Sequence, residues 1–372
     1  MKYYLIAGEA SGDLHASNLM AELKKCDSNA IFRFFGGDLM AQHGGRLVLH
    51  YKNMAFNGLF EVAANINTIR KNMKLAKSDI VSFKPDVLIL VDYPGFNLRI
   101  AKFAFENGIR VHYYISPKIW AWKKSRANIV KKYVEKMFVI FPFETEFYKQ
   151  FNYNVLYVGN PLLDALDSYL KTACTYEQFI NENKLDDKPI LSLVPGSRRS
   201  EIKQILPEML KAVTDFEKYQ IIVTGAPGIE PAFYSKFINN QSIKLIFNKT
   251  YDIVRFSQAA LVASGTATLE TALLGTPQVV CYRVLPLTYH IGKLFVKITY
   301  FSLVNIVLNK LVVKELLQNN LAANLKLELS NLLTNSSYKD TMLNEYAQIR
   351  KVFGNISASK NAAEIIYKTI SA

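Results

Sequence analysis

The chain has 372 residues, half of them hydrophobic, so it can bury one large core or two ordinary ones, and two is the expectation. Its 45 basic against 31 acidic residues leave a net charge of +14, which favours anionic partners: phosphorylated substrates, an anionic membrane surface or nucleic acid. The three cysteines, Cys26, Cys174 and Cys281, are scattered without CxxC or Cys/His spacing, which argues against disulfides and structural zinc and for a reducing compartment.

Tyr3–Ala7 reads as a strand that meets Glu9 and Asp13 too soon for a signal peptide, and no uncharged apolar run reaches the length of a bilayer span. A cytosolic protein that touches a membrane at most is expected. Gly8-Glu9-Ala10-Ser11-Gly12-Asp13 follows the first strand, and a helix is expected from about Leu14 to Lys25. Apolar runs recur at Ile31–Phe35, Val87–Val91, Val111–Ile115, Met137–Phe141 and Val155–Val158, with helical patterns between most of them. That spacing fits a βα series and a parallel sheet. The loops after these strands hold the chemistry-bearing residues, Gly8–Asp13, Asp92–Asn97 and Ser116-Pro117, at the sheet edge where open α/β folds bind ligands.

Gly159-Asn160-Pro161 and the polar stretch Lys171–Lys188 mark a boundary. A second series starts at Ile190–Val194 and continues through Gln220–Thr224, Ile243–Phe247, Ala260–Ala263 and Gln278–Tyr282. Its first turn, Pro195-Gly196-Ser197-Arg198, joins a strand to a helix through small residues and adds an arginine for an anion. The same logic is clearest at Ala260–Pro277. There an apolar strand breaks at Ser264-Gly265-Thr266, Ala267–Leu274 returns to helix formers, and Gly275 and Pro277 stop the helix. Free backbone N–H groups at such a helix start suit a diphosphate, and Glu270, one turn in, suits a ribose diol. The plain alternative is a crossover in which Ser264 is only an N-cap.

Gly8–Asp13 is not G-x-G-x-x-G, so a dinucleotide site is disfavoured, and no D-x-D pair suggests a metal-held nucleotide diphosphate. The fold class expected is α/β of the GT-B plan: two Rossmann-like domains with parallel sheets facing across a cleft. The divisions are 1–165 for an acceptor and catalytic domain, 166–345 for a UDP-sugar domain, and 346–372 for helices packing back on the N-terminal half.

Four segments resemble the lipid-A-disaccharide synthase family: Gly8–Asp13; Tyr114-Ile115-Ser116-Pro117-Lys118-Ile119-Trp120-Ala121-Trp122; Pro195–Arg198 with Glu201; and Ala263–Ala267 with Glu270. Their order and spacing match from the first strand to about Glu315. Phe301–Asn305 is similar to the family's S-L-P-N run, with Val304 where proline is usual, and Asn160 stands where the family often has histidine. The resemblance implies inverting transfer of 2,3-diacylglucosamine from its UDP derivative to 2,3-diacylglucosamine 1-phosphate, without a cofactor or metal. It implies a peripheral enzyme on the anionic cytoplasmic face of the inner membrane, with a homodimer left open and no nucleic acid partner.

Inverting transfer needs a general base for the acceptor hydroxyl and electrophilic groups for the departing diphosphate. Asp92, at the end of a buried strand, is the candidate base, with a cap for the helix after Pro94 as its plain alternative. Glu9 is the second candidate, or orients the acceptor sugar. Ser11 faces the acceptor or caps the next helix, as Asp13 does. Gly196, Ser197 and Arg198 are expected at the diphosphate, with Arg199 a solvated surface arginine. Ser264, Gly265, Thr266 and Ala267 supply backbone donors, Glu270 the ribose contact, and Arg283 further positive charge. Asn305 is placed at the acceptor by the resemblance alone, and otherwise reads as a loop hydrogen-bonder. Trp120 and Trp122, beside Lys123, Lys124, Arg126, Lys131 and Lys132, suit a membrane interface or a lipid acceptor, with interdomain packing as the alternative. Leu285–Val313 suits a surface lying on lipid or an ordinary core. His15 and His112 are read as structural. The rival readings are another GT-B enzyme using a UDP sugar, such as an epimerase; a nucleotide-sugar sensor; and a basic nucleic-acid-binding protein, whose recognition motif is missing.

Overall fold

The computed structural model describes residues 1–54, 65–120, 126–283 and 299–371. The chain divides into two compact units, Met1–Asp164 with Asn355–Ala372, and Ala165–Gly354.

The first unit is built on a seven-stranded parallel sheet in the order β3-β2-β1-β4-β5-β6-β7. Its strands are β1 Lys2–Ala7, β2 Ile31–Gly36, β3 Arg46–His50, β4 Val87–Val91, β5 Val111–Tyr114, β6 Lys136–Val139 and β7 Leu156–Tyr157. Every residue of β4 is buried, as expected of a parallel strand covered on both faces. One apolar cluster joins alternate strand residues such as Tyr4, Ile6, Leu88 and Leu90 to the helices Ile66–Phe83, Pro94–Glu106 and Arg126–Tyr133. The other joins Tyr3, Leu5, Val87 and Ile89 to the helices Ala10–Cys26 and Ala358–Ser371.

The second unit holds a six-stranded parallel sheet in the order β10-β9-β8-β11-β12-β13. These strands are β8 Ile190–Val194, β9 Gln220–Gly225, β10 Lys244–Phe247, β11 Ser257–Ala263, β12 Gln278–Tyr282 and β13 Lys314–Leu317.

Three expectations are corrected here. Strands β3 and β13 carry no uniform apolar run because they are sheet edges, half-buried and partly charged, and the sequence pattern missed both. The first helix starts at Ala10 rather than Leu14. Gly12 lies so close to β1 that a Cβ there would sit 3.3 Å from the Cβ of Ala7, so the absence of a side chain brings the helix onto the strand. The return to the first unit comes at Asn355 and not at 346: Tyr346, Ile349 and Phe353 are buried residues of the helix Ser336–Phe353, which belongs to the second unit.

Candidate active site

In each sheet one pair of neighbouring strands reverses the order, and the loops leaving those two strands meet at their C-terminal ends. In the first sheet the pair is β1 and β4, with Ala7 opposite Val91, so the Gly8-Glu9 loop lies beside Asp92-Tyr93. In the second it is β8 and β11, with Val194 opposite Val262, so Pro195–Arg198 lies beside Ser264–Ala267. Such reversal points are the ligand crevices of open α/β sheets. Four of the loops singled out in the sequence therefore fall in pairs at the two reversal points, while Ser116-Pro117 follows β5, one strand further along the first sheet.

The first pair is packed tightly. A Cβ at position 8 would lie 2.4 Å from the Tyr93 ring, so only glycine fits. The Tyr93 hydroxyl donates to the Met54 carbonyl at 2.6 Å. Burial, with the Glu9 charge adding to it, pushes that phenol up to about 12. Asp92 and Tyr93 are consecutive left-handed residues, with φ of 44° and 48°. This conformation costs non-glycine residues free energy and collects at functional sites. Buried donors hold it in place: the Asp92 carbonyl accepts from Asn97 Nδ2 at 2.8 Å and from the Tyr113 hydroxyl at 2.5 Å. Asn97 Nδ2 also reaches the carbonyls of Ile6 and Val91, tying β1 to β4 beneath the loop. Asp92 is half-buried, and the cap of the helix after it is Tyr93, so the capping alternative for Asp92 does not hold.

The N-cap of the Ala10–Cys26 helix is Glu9, which overturns the capping alternatives for Ser11 and Asp13. Ser11 is exposed in the first turn. Asp13 is buried and turned outward from its own helix: Oδ1 accepts from Gly37 N at 2.7 Å and Met40 N at 3.2 Å, and Oδ2 from Leu39 N at 3.2 Å. It organises the turn after β2.

In the second unit Gly196 sits at φ 107°, a left-handed position that suits glycine. Arg198 is the N-cap of the helix Arg199–Ala212, with its side chain 45% exposed and 3.4 Å from Glu201, whose other oxygen accepts from Ser197 N at 3.2 Å. The donors expected at a diphosphate are thus gathered around one carboxylate. Arg199 is not merely solvated, since it pairs with Glu230 and lies over the Phe233 ring. The Ser264 hydroxyl donates to Phe301 O at 2.8 Å and the cap of the helix Thr266–Leu273 is Gly265, so Ser264 braces a neighbouring loop instead of capping. Its backbone N–H, expected to face an anion, instead continues the strand pairing to Cys281 O at 2.8 Å. Glu270 is largely withdrawn from water, which pushes its carboxyl up to about 7, and the Tyr251 hydroxyl 3.4 Å away opposes the rise. Arg283 is paired with Glu208 of the Arg199–Ala212 helix.

Asn305 is a buried hydrogen-bonder: Nδ2 donates to Val313 O and Glu315, and Oδ1 accepts from Val312 N and Val313 N. An acceptor contact through its amide has no spare capacity there. Glu315, which the sequence reading passed over, also accepts from Phe301 N and Ser302 N and so holds the loop that Ser264 braces. Trp120 packs edge-on against Phe143 at 5.1 Å beside the first core, which fits packing within the unit. Trp122, Lys123 and Lys124 lie outside the described residues, as does Leu285–Ile298 of the apolar stretch. In the rest of that stretch Leu303, Val304 and Val307 are core. His15 and His112 are withdrawn from water, which lowers both to about 4, and a buried neutral imidazole is a structural group.

Among the described residues no three His, Cys, Asp or Glu side chains gather to hold a metal, and no helix is long and apolar enough to cross a membrane. A cavity of about 560 Å³ lies at the opposite, N-terminal end of β8 and β9, against Lys188, Lys211 and Gln220, away from these loops.

Residues 3–367 match the family described as lipid-A-disaccharide synthetase. The chain belongs to the lipid-A-disaccharide synthase family. A curated lipid-A-disaccharide synthase from Syntrophus aciditrophicus is 37% identical over 369 residues, covering 96% of this chain and 95% of that protein. One from Coxiella burnetii is 36% identical over 371 residues, covering 98% of each. Among solved structures, UDP-GlcNAc 2-epimerase from Neisseria meningitidis, bound to UDP-GlcNAc, superposes with a TM-score of 0.67 over 100% of both chains. At 16% identity that likeness shows the GT-B fold alone, and the epimerase reading falls to the family match. The synthase is a UDP-sugar-dependent glycosyltransferase of lipid A disaccharide synthesis.

Proposed function

We propose that Asp92 is the general base of an inverting transfer from UDP-2,3-diacylglucosamine to 2,3-diacylglucosamine 1-phosphate. The acceptor hydroxyl oxygen attacks the anomeric carbon while the bond to the UDP oxygen breaks on the opposite face. Asp92 takes the hydroxyl proton, and Glu9 orients the acceptor sugar. The charge that develops on the departing diphosphate meets Arg198, the backbone donor of Gly196, and those of Gly265 to Ala267. Glu270 accepts from the ribose hydroxyls, and Arg283 adds positive charge nearby. The observation that carries the reading is the pairing of these loops at the two sheet reversals, one rich in carboxylates and one in anion donors.

Work at an anionic membrane surface is part of the same proposal. The helices Ile66–Phe83, Pro94–Glu106 and Arg126–Tyr133 lie side by side. Their exposed residues include Arg70, Lys71, Lys74, Arg99, Lys102, Lys131 and Lys132, with Leu75, Phe105 and Ile129 among them. Cations interleaved with apolar side chains suit a negatively charged bilayer.

The test is UDP release from UDP-2,3-diacylglucosamine, with and without 2,3-diacylglucosamine 1-phosphate in detergent micelles. Release that depends on the acceptor supports the proposal. Thermal protection by UDP without release from this pair would overturn the substrate assignment and leave the nucleotide site standing.

A further inference from the structure

We propose that Tyr251 is a positioning residue for donor recognition, holding the Glu270 carboxylate in the orientation that accepts the ribose hydroxyls of UDP. The inference rests on the reading of Glu270 as the ribose contact. Glu270 is on the helix Thr266–Leu273, which starts at the diphosphate turn, and a glutamate there has three side-chain torsions to settle. Burial keeps water from satisfying it but does not choose among its rotamers.

Tyr251 makes that choice from the neighbouring helix Thr250–Arg255. Its hydroxyl donates to Glu270 Oε1 at 3.4 Å. A carboxylate oxygen accepts more than one hydrogen bond, so this contact fixes the plane of the group and leaves Oε2 and part of Oε1 for a diol. The tyrosine is itself clamped. The Tyr169 ring meets the Tyr251 ring edge-on at 5.1 Å, and the Tyr169 hydroxyl bonds to the adjacent Asp252. Tyr169 thus grips two consecutive residues of the short helix, and the Tyr251 ring has one place to lie. The hydroxyl also opposes the effect of burial on Glu270, favouring the ionised form, which has acceptors only.

Calorimetric affinities of the full chain for UDP and for 2′,3′-dideoxy-UDP test this, in the native protein, Tyr251→Phe and Glu270→Gln. The native protein is expected to favour UDP by about 10- to 100-fold, the range for hydrogen bonds to a charged group. Tyr251→Phe keeps the ring contact with Tyr169 and is expected to cut that preference at least about threefold, with dideoxy-UDP affinity unchanged. A preference retained in Tyr251→Phe but lost in Glu270→Gln would overturn the role of Tyr251 and leave the ribose contact standing. Equal weakening of both ligands in Tyr251→Phe would mean a structural role only, and would overturn it too. No preference in the native protein would overturn the ribose reading, and the inference with it.

Discussion

Replacing Asp13 by asparagine isolates what one buried carboxylate does for the first sheet's ligand edge. In the native chain its two oxygens accept three backbone N–H groups from the turn between β2 and the helix Asp38–Ala41. Two of these bonds go to Oδ1, which the asparagine carbonyl can replace without the charge. The third goes to Oδ2, where the amide would set an N–H₂ donor against the Leu39 N–H. Bonds to a charged acceptor are worth about 1.5–3 kcal/mol each, and a buried donor left unmatched costs about 1–3 kcal/mol. The Leu39 contact alone therefore sets an expected loss of about 2–3 kcal/mol for Asp13→Asn, and Asp13→Ala, which strands all three donors, costs about 4–5 kcal/mol. With a urea dependence of about 2 kcal/mol per molar, the asparagine midpoint falls by about 1 M. Tryptophan fluorescence reads this directly, because both tryptophans, Trp120 and Trp122, belong to the first unit. A midpoint within about 0.2 M of the native protein in both variants would refute the reasoning, since water would then be replacing the carboxylate.

Asp92→Asn is expected to keep UDP affinity and lose about 10²- to 10⁴-fold in turnover, because only the transition state uses the base. Steady-state rates beside UDP titrations check this, and near-native turnover would remove Asp92 from the role. Arg198→Ala is expected to weaken UDP binding about 10-fold while leaving uridine binding unchanged, a modest figure because the guanidinium is half-exposed. Equal affinity for UDP in the variant would place the diphosphate elsewhere. The preference for UDP over 2′,3′-dideoxy-UDP is expected to rise with pH through about 7. Burial raises the folded-state pKa of Glu270 to about that value, so below it the carboxyl is protonated and has lost acceptor capacity. The ratio cancels the titration of the diphosphate common to both ligands. A preference flat from pH 6 to 8.5, or one already flat in Glu270→Gln and identical to native, would contradict it.

The order and type of the buried elements were legible in the sequence. Strands such as β4 are apolar throughout, and β8 nearly so, because both of their faces are covered, and a short β-branched run bounded by turn residues marks such a strand. The small-residue turns were legible for a similar reason: Gly8, Gly12 and Gly196 stand where a backbone approach or a left-handed φ requires them, and those demands are local. Family motifs followed from the same short segments. The helix cap expected at Asp13, and the capping alternatives for Ser264 and Asp92, fail because a side chain's nearest neighbours in sequence need not be its partners.

Partner choice was decided only by tertiary structure. Asp13 bonds to the turn after β2, Ser264 to Phe301, and Asn305 to the strand that leads into Glu315. None of these pairings leaves a periodic mark, since each joins side chain and backbone at a separation that matches neither a helix nor a strand repeat. The support behind the site is hidden for the same reason: Asn97 and Tyr113 under the Asp92 carbonyl, and Tyr251 beside Glu270, are single polar groups met across the packing of strands and helices. What the sequence settled by itself is which loops carry the chemistry, because those loops must be small, flexible and polar where they stand. The strand order settled which loops meet, because parallel pairing brings Ala7 beside Val91 and Val194 beside Val262, and residue spacing along the chain carries no record of that pairing.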